Sequence, residues 1–104
     1  MDAYTRAMSR ALLERRLFET SERMREARRE LEVADEQLAH LAGEADEARL
    51  RSLVSETPLA EQEHREAARH AEAMNRHRSA VLAEIERLER AQDELLDRLI
   101  AAGD

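Results

Sequence analysis

Two series of residues recur every seven positions along the first half of the chain, and they constrain the fold more than any other feature. Members of one series lie four positions after members of the other, which is the spacing from d to a in a coiled coil. The series are Leu17, Met24, Leu31, Leu38, Ala45, Ser52 and Leu13, Thr20, Ala27, Ala34, Leu41, Ala48. The pattern predicts one long helix with a single apolar stripe.

The second half repeats the same design. Its two series are Ala60, Ala67, Met74, Val81, Leu88, Leu95, Ala102 and His64, Ala71, Arg78, Ile85, Gln92, Leu99. High charge with few aromatic residues is also typical of disorder, but a repeat sustained this long favours a second helix.

Between the halves, Thr57 and Pro58 mark a helix start. Threonine is a common N-cap, and proline is tolerated in the first helical turn because its missing N–H has no helical partner there. We therefore predict helix 1 at about residues 2–53, a turn at about 54–57 and helix 2 at about 58–101. Residues 1–104 would form a single domain.

A connection this short makes the two helices antiparallel neighbours. With the turn centred near Glu56, the two apolar stripes face each other in one register. The expected layers include Leu38 with Met74, Ala34 with Arg78 and Thr20 with Gln92. The predicted fold class is all-α: an antiparallel two-helix coiled-coil hairpin that dimerises into a four-helix assembly.

Composition excludes several classes of function. The net charge of −7 argues against general nucleic-acid binding, and the absence of cysteine excludes disulfides and zinc–thiolate sites. No segment has the length and apolarity of a membrane span or a signal peptide, so we expect a cytoplasmic protein without membrane contact. All 17 basic residues are arginine, which we interpret as the codon bias of a GC-rich bacterial genome.

We find no constellation for catalysis, and we expect neither an enzyme nor a cofactor. The serines lack a convergent His and Asp arrangement, and no glycine-rich phosphate loop is present. Glu61 and His64 have the Glu-x-x-His spacing of di-iron bundles, but the facing positions are Ala48 and Arg51 rather than carboxylates. We therefore expect no metal site.

Apolar residues outside the stripes collect at the expected open end of the hairpin, away from Pro58. Exposed together, such residues usually mark an interface. They are Tyr4, Met8, Leu12, Phe18, Leu82, Leu96 and Ile100. We call them the distal patch. It predicts self-association as a homodimer; the alternative is docking of another protein at the same end.

A second apolar group, Leu53, Val54 and Leu59, lies at the turn beside the acidic Glu56, and these four residues form a possible contact site for a partner. Alternatively, these leucines cover the end of the helix pair. The acidic hairpin resembles the coiled-coil arm of Gre- and DksA-type transcription factors, and the resemblance covers only that arm. It implies insertion into the RNA polymerase secondary channel, with Glu56 and Glu61 as the working residues.

These observations together predict a non-enzymatic protein–protein interaction module, a small bacterial regulator or adaptor that acts through a coiled-coil surface. Two alternatives stay open. One is a purely structural homo-oligomer, and the other is a transcription regulator whose acidic turn contacts RNA polymerase.

Overall fold

The computed structural model describes residues 3–103, with side chains for residue 3 and for residues 9–103. The described chain forms two long helices, α1 over Ala3–Ser55 and α2 over Pro58–Ala102, and contains no strand. The predicted helical hairpin is confirmed. Both helices extend slightly beyond the predicted C-terminal ends, so the turn contains only Glu56 and Thr57.

Hydrogen bonds at the turn explain why α1 ends and α2 begins there. Glu56 has a φ of 51°, in the left-handed region, and its N–H donates to the carbonyl of Ser52 at 3.0 Å. Thr57 then caps α2, because its Oγ1 accepts a hydrogen bond from the N–H of Ala60 at 3.1 Å. The predicted roles of Thr57 as N-cap and Pro58 as first helical residue are confirmed.

The two heptad series form the buried stripes of the helices. Every a and d position from 13 to 52 and from 60 to 99 is buried or partly buried, as predicted. The most buried members include Met24, Ile85 and Leu88, each of which contributes about 1.5–3 kcal/mol by leaving water. The confirmed stripes account for all nine buried hydrophobic residues among the described side chains: Leu13, Met24, Ala27, Ala34, Ala48, Ala60, Val81, Ile85 and Leu88.

The helix pair divides into two compact units. Unit 1 combines Met1–Arg29 with Leu82–Asp104, and unit 2 is the continuous segment Glu30–Val81, which contains the turn. The expectation that residues 1–104 act as one domain stays a prediction.

In unit 1, contacts between the helices run antiparallel. Gln92 Nε2 donates to Ser21 Oγ at 3.3 Å, and Arg28 Nη2 lies 3.9 Å from Glu89 Oε1. A Cβ added at Gly103 would lie 2.8 Å from Arg10 Nη1, which places this guanidinium beside the C-terminus of α2. A cation is favourable there, because the negative end of the helix dipole lies at the C-terminus.

In unit 2, Arg78 occupies a partly buried seam position, as expected. Its Nε donates to the carboxylate of Asp35, the neighbour of Ala34, so the charged head leaves the seam while the stem lies along it. On the other flank, His77 Nε2 lies 3.4 Å from Glu30 Oε1.

One expected layer differs in detail. Thr20 was predicted to face Gln92, polar against polar, but Gln92 donates to Ser21 instead. The hydroxyl of Thr20 donates to the carbonyl of Arg16 in its own helix at 2.8 Å. A carbonyl one turn back is always within reach of a helical threonine, so it competes successfully with a partner on the other helix.

Candidate functional site

In unit 1, one flank of the helix pair carries exposed apolar side chains. The ion pair between Arg28 and Glu89 joins the e positions of α1 and α2 and so identifies this flank. We define the e face of unit 1 as the e and b positions of both helices: Ala11, Glu14, Phe18, Ser21, Arg25 and Arg28 of α1, with Leu82, Glu86, Glu89, Asp93, Leu96 and Ile100 of α2.

Four residues of the predicted distal patch lie on this e face. Phe18 is 67% exposed and Ile100 70%, while Leu82 and Leu96 are partly covered at 36% and 39%. Phe18 projects from α1 and the other three from α2, and the seam needs none of them. The face therefore exposes Phe18 and Ile100 at its b positions, which form its outer rim. Leu82 and Leu96 lie at its e positions, nearer the seam, and are partly exposed.

Leu12, another residue of the distal patch, does not add to this face. Leu12 is 45% exposed, but it lies roughly 120° around α1 from Phe18, given 3.6 residues per turn. The side chains of Tyr4 and Met8 lie outside the described residues. Their proposed role in an interface stays a prediction.

Charge is segregated between the two helices of unit 1. Residues 1–29 contain eight arginines and five acidic residues, a net charge of +3, and residues 82–104 contain three arginines and seven acidic residues, a net charge of −4. The e face shows the same division: Arg25 and Arg28 outnumber Glu14 on α1, and α2 presents Glu86, Glu89 and Asp93. Dividing the sequence at its midpoint hides this signal, because the acidic residues 30–55 cancel the basic start of α1.

The turn in unit 2 exposes a second apolar group. Leu53, Val54 and Leu59 are 62%, 85% and 64% exposed, and Leu50 is 63% exposed. The alternative expectation, that these side chains cover the end of the helix pair, is not met, since water reaches most of each one. Glu56 is exposed at the centre of the turn, where its backbone is left-handed.

The charged side chains beside the turn line a shallow groove of about 360 Å³. Ala48 and Ala67 form its floor, and its walls include Arg51, Glu63 and His70. Among the described residues, no group of three His, Asp or Glu side chains is placed to hold a metal ion. His64 is partly buried in the seam rather than directed into a cluster.

Comparison of the chain with protein-family models, with curated proteins and with solved structures gives no match. Between residues 3 and 103, neither helix combines the length and the apolarity that crossing a membrane requires. The e face of unit 1 is the strongest candidate site, because it combines exposed apolar side chains with segregated charge.

Proposed function

We propose that this protein is a non-enzymatic protein–protein interaction module, a small cytoplasmic regulator or adaptor of bacterial origin, which docks through the e face of unit 1. The observation that carries the proposal is the 67% exposure of Phe18, one of only two aromatic residues in the chain, on the same face as the exposed Ile100. Aromatic side chains are enriched at interfaces because they bury a large area with few rotatable bonds.

The surroundings of Phe18 support docking rather than chance exposure. Leu82 and Leu96 on the same face are still 36% and 39% exposed, so a partner docked on the whole face would bury them as well as Phe18. Charged residues surround these apolar positions, with Arg25 on α1 and Asp93 on α2. An apolar centre inside a charged rim is the usual anatomy of a protein interface.

The test replaces Phe18 by Glu and uses Val33→Glu as the matched control. Both positions lie on α1 outside the seam and both are exposed, Phe18 at 67% and Val33 at 52%, but Val33 is outside the e face. We expect Phe18→Glu to abolish association, read as solution mass by light scattering and as proteins retained by the immobilised chain. Val33→Glu should leave both unchanged, and circular dichroism should show equal helicity.

A second candidate is docking through the turn, and the 85% exposure of Val54 favours it. The same experiment gains a Val54→Ser arm for this surface. If Val54→Ser loses a retained protein while Phe18→Glu retains it, the interaction site is the turn. That result would contradict the first proposal. If neither variant changes mass or retention, neither surface is an interface.

A further inference from the structure

The e face of unit 1 is electrostatically self-complementary, and this identifies the partner that fits it. We propose that a second copy of this chain docks on the e face, with α1 of each copy lying on α2 of the other. The inference rests on the proposed docking function of this face and adds to it the partner and the arrangement. The product is a four-helix assembly in which every neighbouring pair of helices is antiparallel.

Charge selects this arrangement from the two that a two-fold axis allows. If the axis is parallel to the helices of unit 1, the basic α1 segment of one copy faces the acidic α2 segment of the other. If the axis is perpendicular to them, α1 lies on α1 and α2 on α2. Glu86, Glu89 and Asp93 would then face their own copies, and like charges across an interface are repulsive.

A two-fold rotation about an axis parallel to the helices does not shift one copy along the other. Each residue therefore lies at the same height along the helix axes in both copies, and these heights fix which residues meet. The hydrogen bond between Gln92 and Ser21, with the Arg10 guanidinium close to Gly103, puts Phe18 level with Leu95 and Arg25 level with Leu88. In the assembly, Phe18 of each copy therefore lies one residue from the level of Leu96 in the other.

Two further contacts follow from the same levels. The small Ala11 of α1 lies opposite the large, 70% exposed Ile100 of the second copy. Arg25 and Glu86 both occupy b positions on the rim of the face, within one helical turn of the same level, so their side chains can pair across the interface. Within its own copy Arg25 pairs with Glu22 at 2.7 Å on an exposed surface, and such a pair is readily exchanged.

The test uses Arg25→Glu and Glu86→Arg, each alone and then mixed. In a dimer of either variant, both rim contacts become repulsive, and we expect the dissociation constant to rise about tenfold. In an equimolar mixture, each copy's residue 25 meets an opposite charge at residue 86 of the other, so affinity should return to within about threefold of the original. If a substitution weakened the dimer only by destabilising its own chain, mixing the two variants would not restore the affinity.

Arg23→Glu is the matched control, since it makes the same charge change on the same helix but on the opposite flank. Alone, its dissociation constant should stay within about twofold of the original protein's. Mixed with Glu86→Arg it should not restore the original affinity, because one of the two rim contacts in the mixed dimer stays repulsive. The measurement is sedimentation equilibrium of the full chain over a range of concentrations, with helicity recorded for every variant.

Each outcome supports or overturns the inference. Rescue by mixing supports it. A dimer in which mixing rescues nothing has another arrangement, and the inference is wrong. A monomeric mass for the original protein also overturns the inference. The proposed docking function then survives only if Phe18→Glu removes a different bound protein. If Phe18→Glu changes nothing, the inference and the proposed docking function are both wrong.

Discussion

Glu56 is the residue at which the chain reverses, and its backbone conformation carries a cost. A φ of 51° is in the left-handed region, where a residue with a Cβ is roughly 1–2 kcal/mol less stable than in the right-handed region. Helices commonly end with glycine at this position, because glycine avoids that cost. Glutamate is therefore a locally poor choice at this turn.

Replacing Glu56 by Gly should raise the free energy of unfolding by about 1 kcal/mol, because relief of the left-handed strain exceeds the added backbone entropy of the unfolded chain. Urea denaturation at a fixed protein concentration measures it. Glu56→Gln is the control, since it removes the charge and keeps the Cβ, and it should change stability by only a few tenths of a kcal/mol. Equal gains from both variants would assign the effect to charge instead.

For single residues, the sequence predicted the position of a side chain where its partner is close in sequence or where burial of its charge would be costly. Thr57 caps α2 because an N-cap needs only the N–H three residues ahead. Arg78 leaves the seam because a buried unpaired charge is costly and Asp35 is the nearest carboxylate along its path. Gln92 was not predictable in the same way, since Ser21 and Thr20 offer hydroxyls at neighbouring positions and their energies differ little.

At the scale of the element, the heptad repeat was sufficient to predict both helices and their buried stripes. The seven-residue period fixes which side of each helix is apolar, and a short turn fixes which stripe it meets. The ends of the helices were less predictable. Val54 and Ser55 continue α1 beyond the predicted end at Leu53, because the chain stays helical until Glu56 enters the left-handed region.

Gly43 lies in the interior of α1, where it costs helix stability without any packing benefit. A Cβ built on Gly43 meets no atom within 4 Å, so alanine fits without strain. We expect Gly43→Ala to raise the free energy of unfolding by about 1 kcal/mol, the difference in helix propensity between the two residues.

The reverse change at the preceding residue is the control for Gly43. Ala42→Gly, also exposed on α1, should lower stability by about the same amount, and the double variant should be close to the original protein. A loss of stability in Gly43→Ala would show instead that a partner approaches α1 closely at this position.

At the scale of the whole molecule, charge is informative only when it is counted along the elements that the fold brings together. The net charge of −7 argues against nucleic-acid binding and indicates nothing about a partner. Once residues 1–29 and 82–104 are known to pair in unit 1, the same charges form a basic helix beside an acidic one. The distal patch was visible in the sequence, whereas this complementarity required the pairing.

The fold also predicts that each chain closes on itself rather than exchanging helices with a second copy. A turn of two residues, capped by Thr57 and ended by Glu56, makes the a and d positions of one chain meet each other at high effective concentration. Leu38 and Met74 form one expected layer of unit 2, and both are partly buried.

We therefore expect the double variant Leu38→Cys, Met74→Cys to form a disulfide within one chain under mild oxidation, since facing seam positions satisfy the roughly 7 Å limit between Cα atoms. The chain has no cysteine of its own, so the products are unambiguous. Leu38→Cys with Val81→Cys is the control: Val81 lies seven residues from Met74, about 10 Å along α2, and should not crosslink within the chain. Non-reducing electrophoresis separates the products. If the first pair yields only bridges between two chains, helix exchange replaces the closed hairpin; if the control pair crosslinks as readily, the register is wrong.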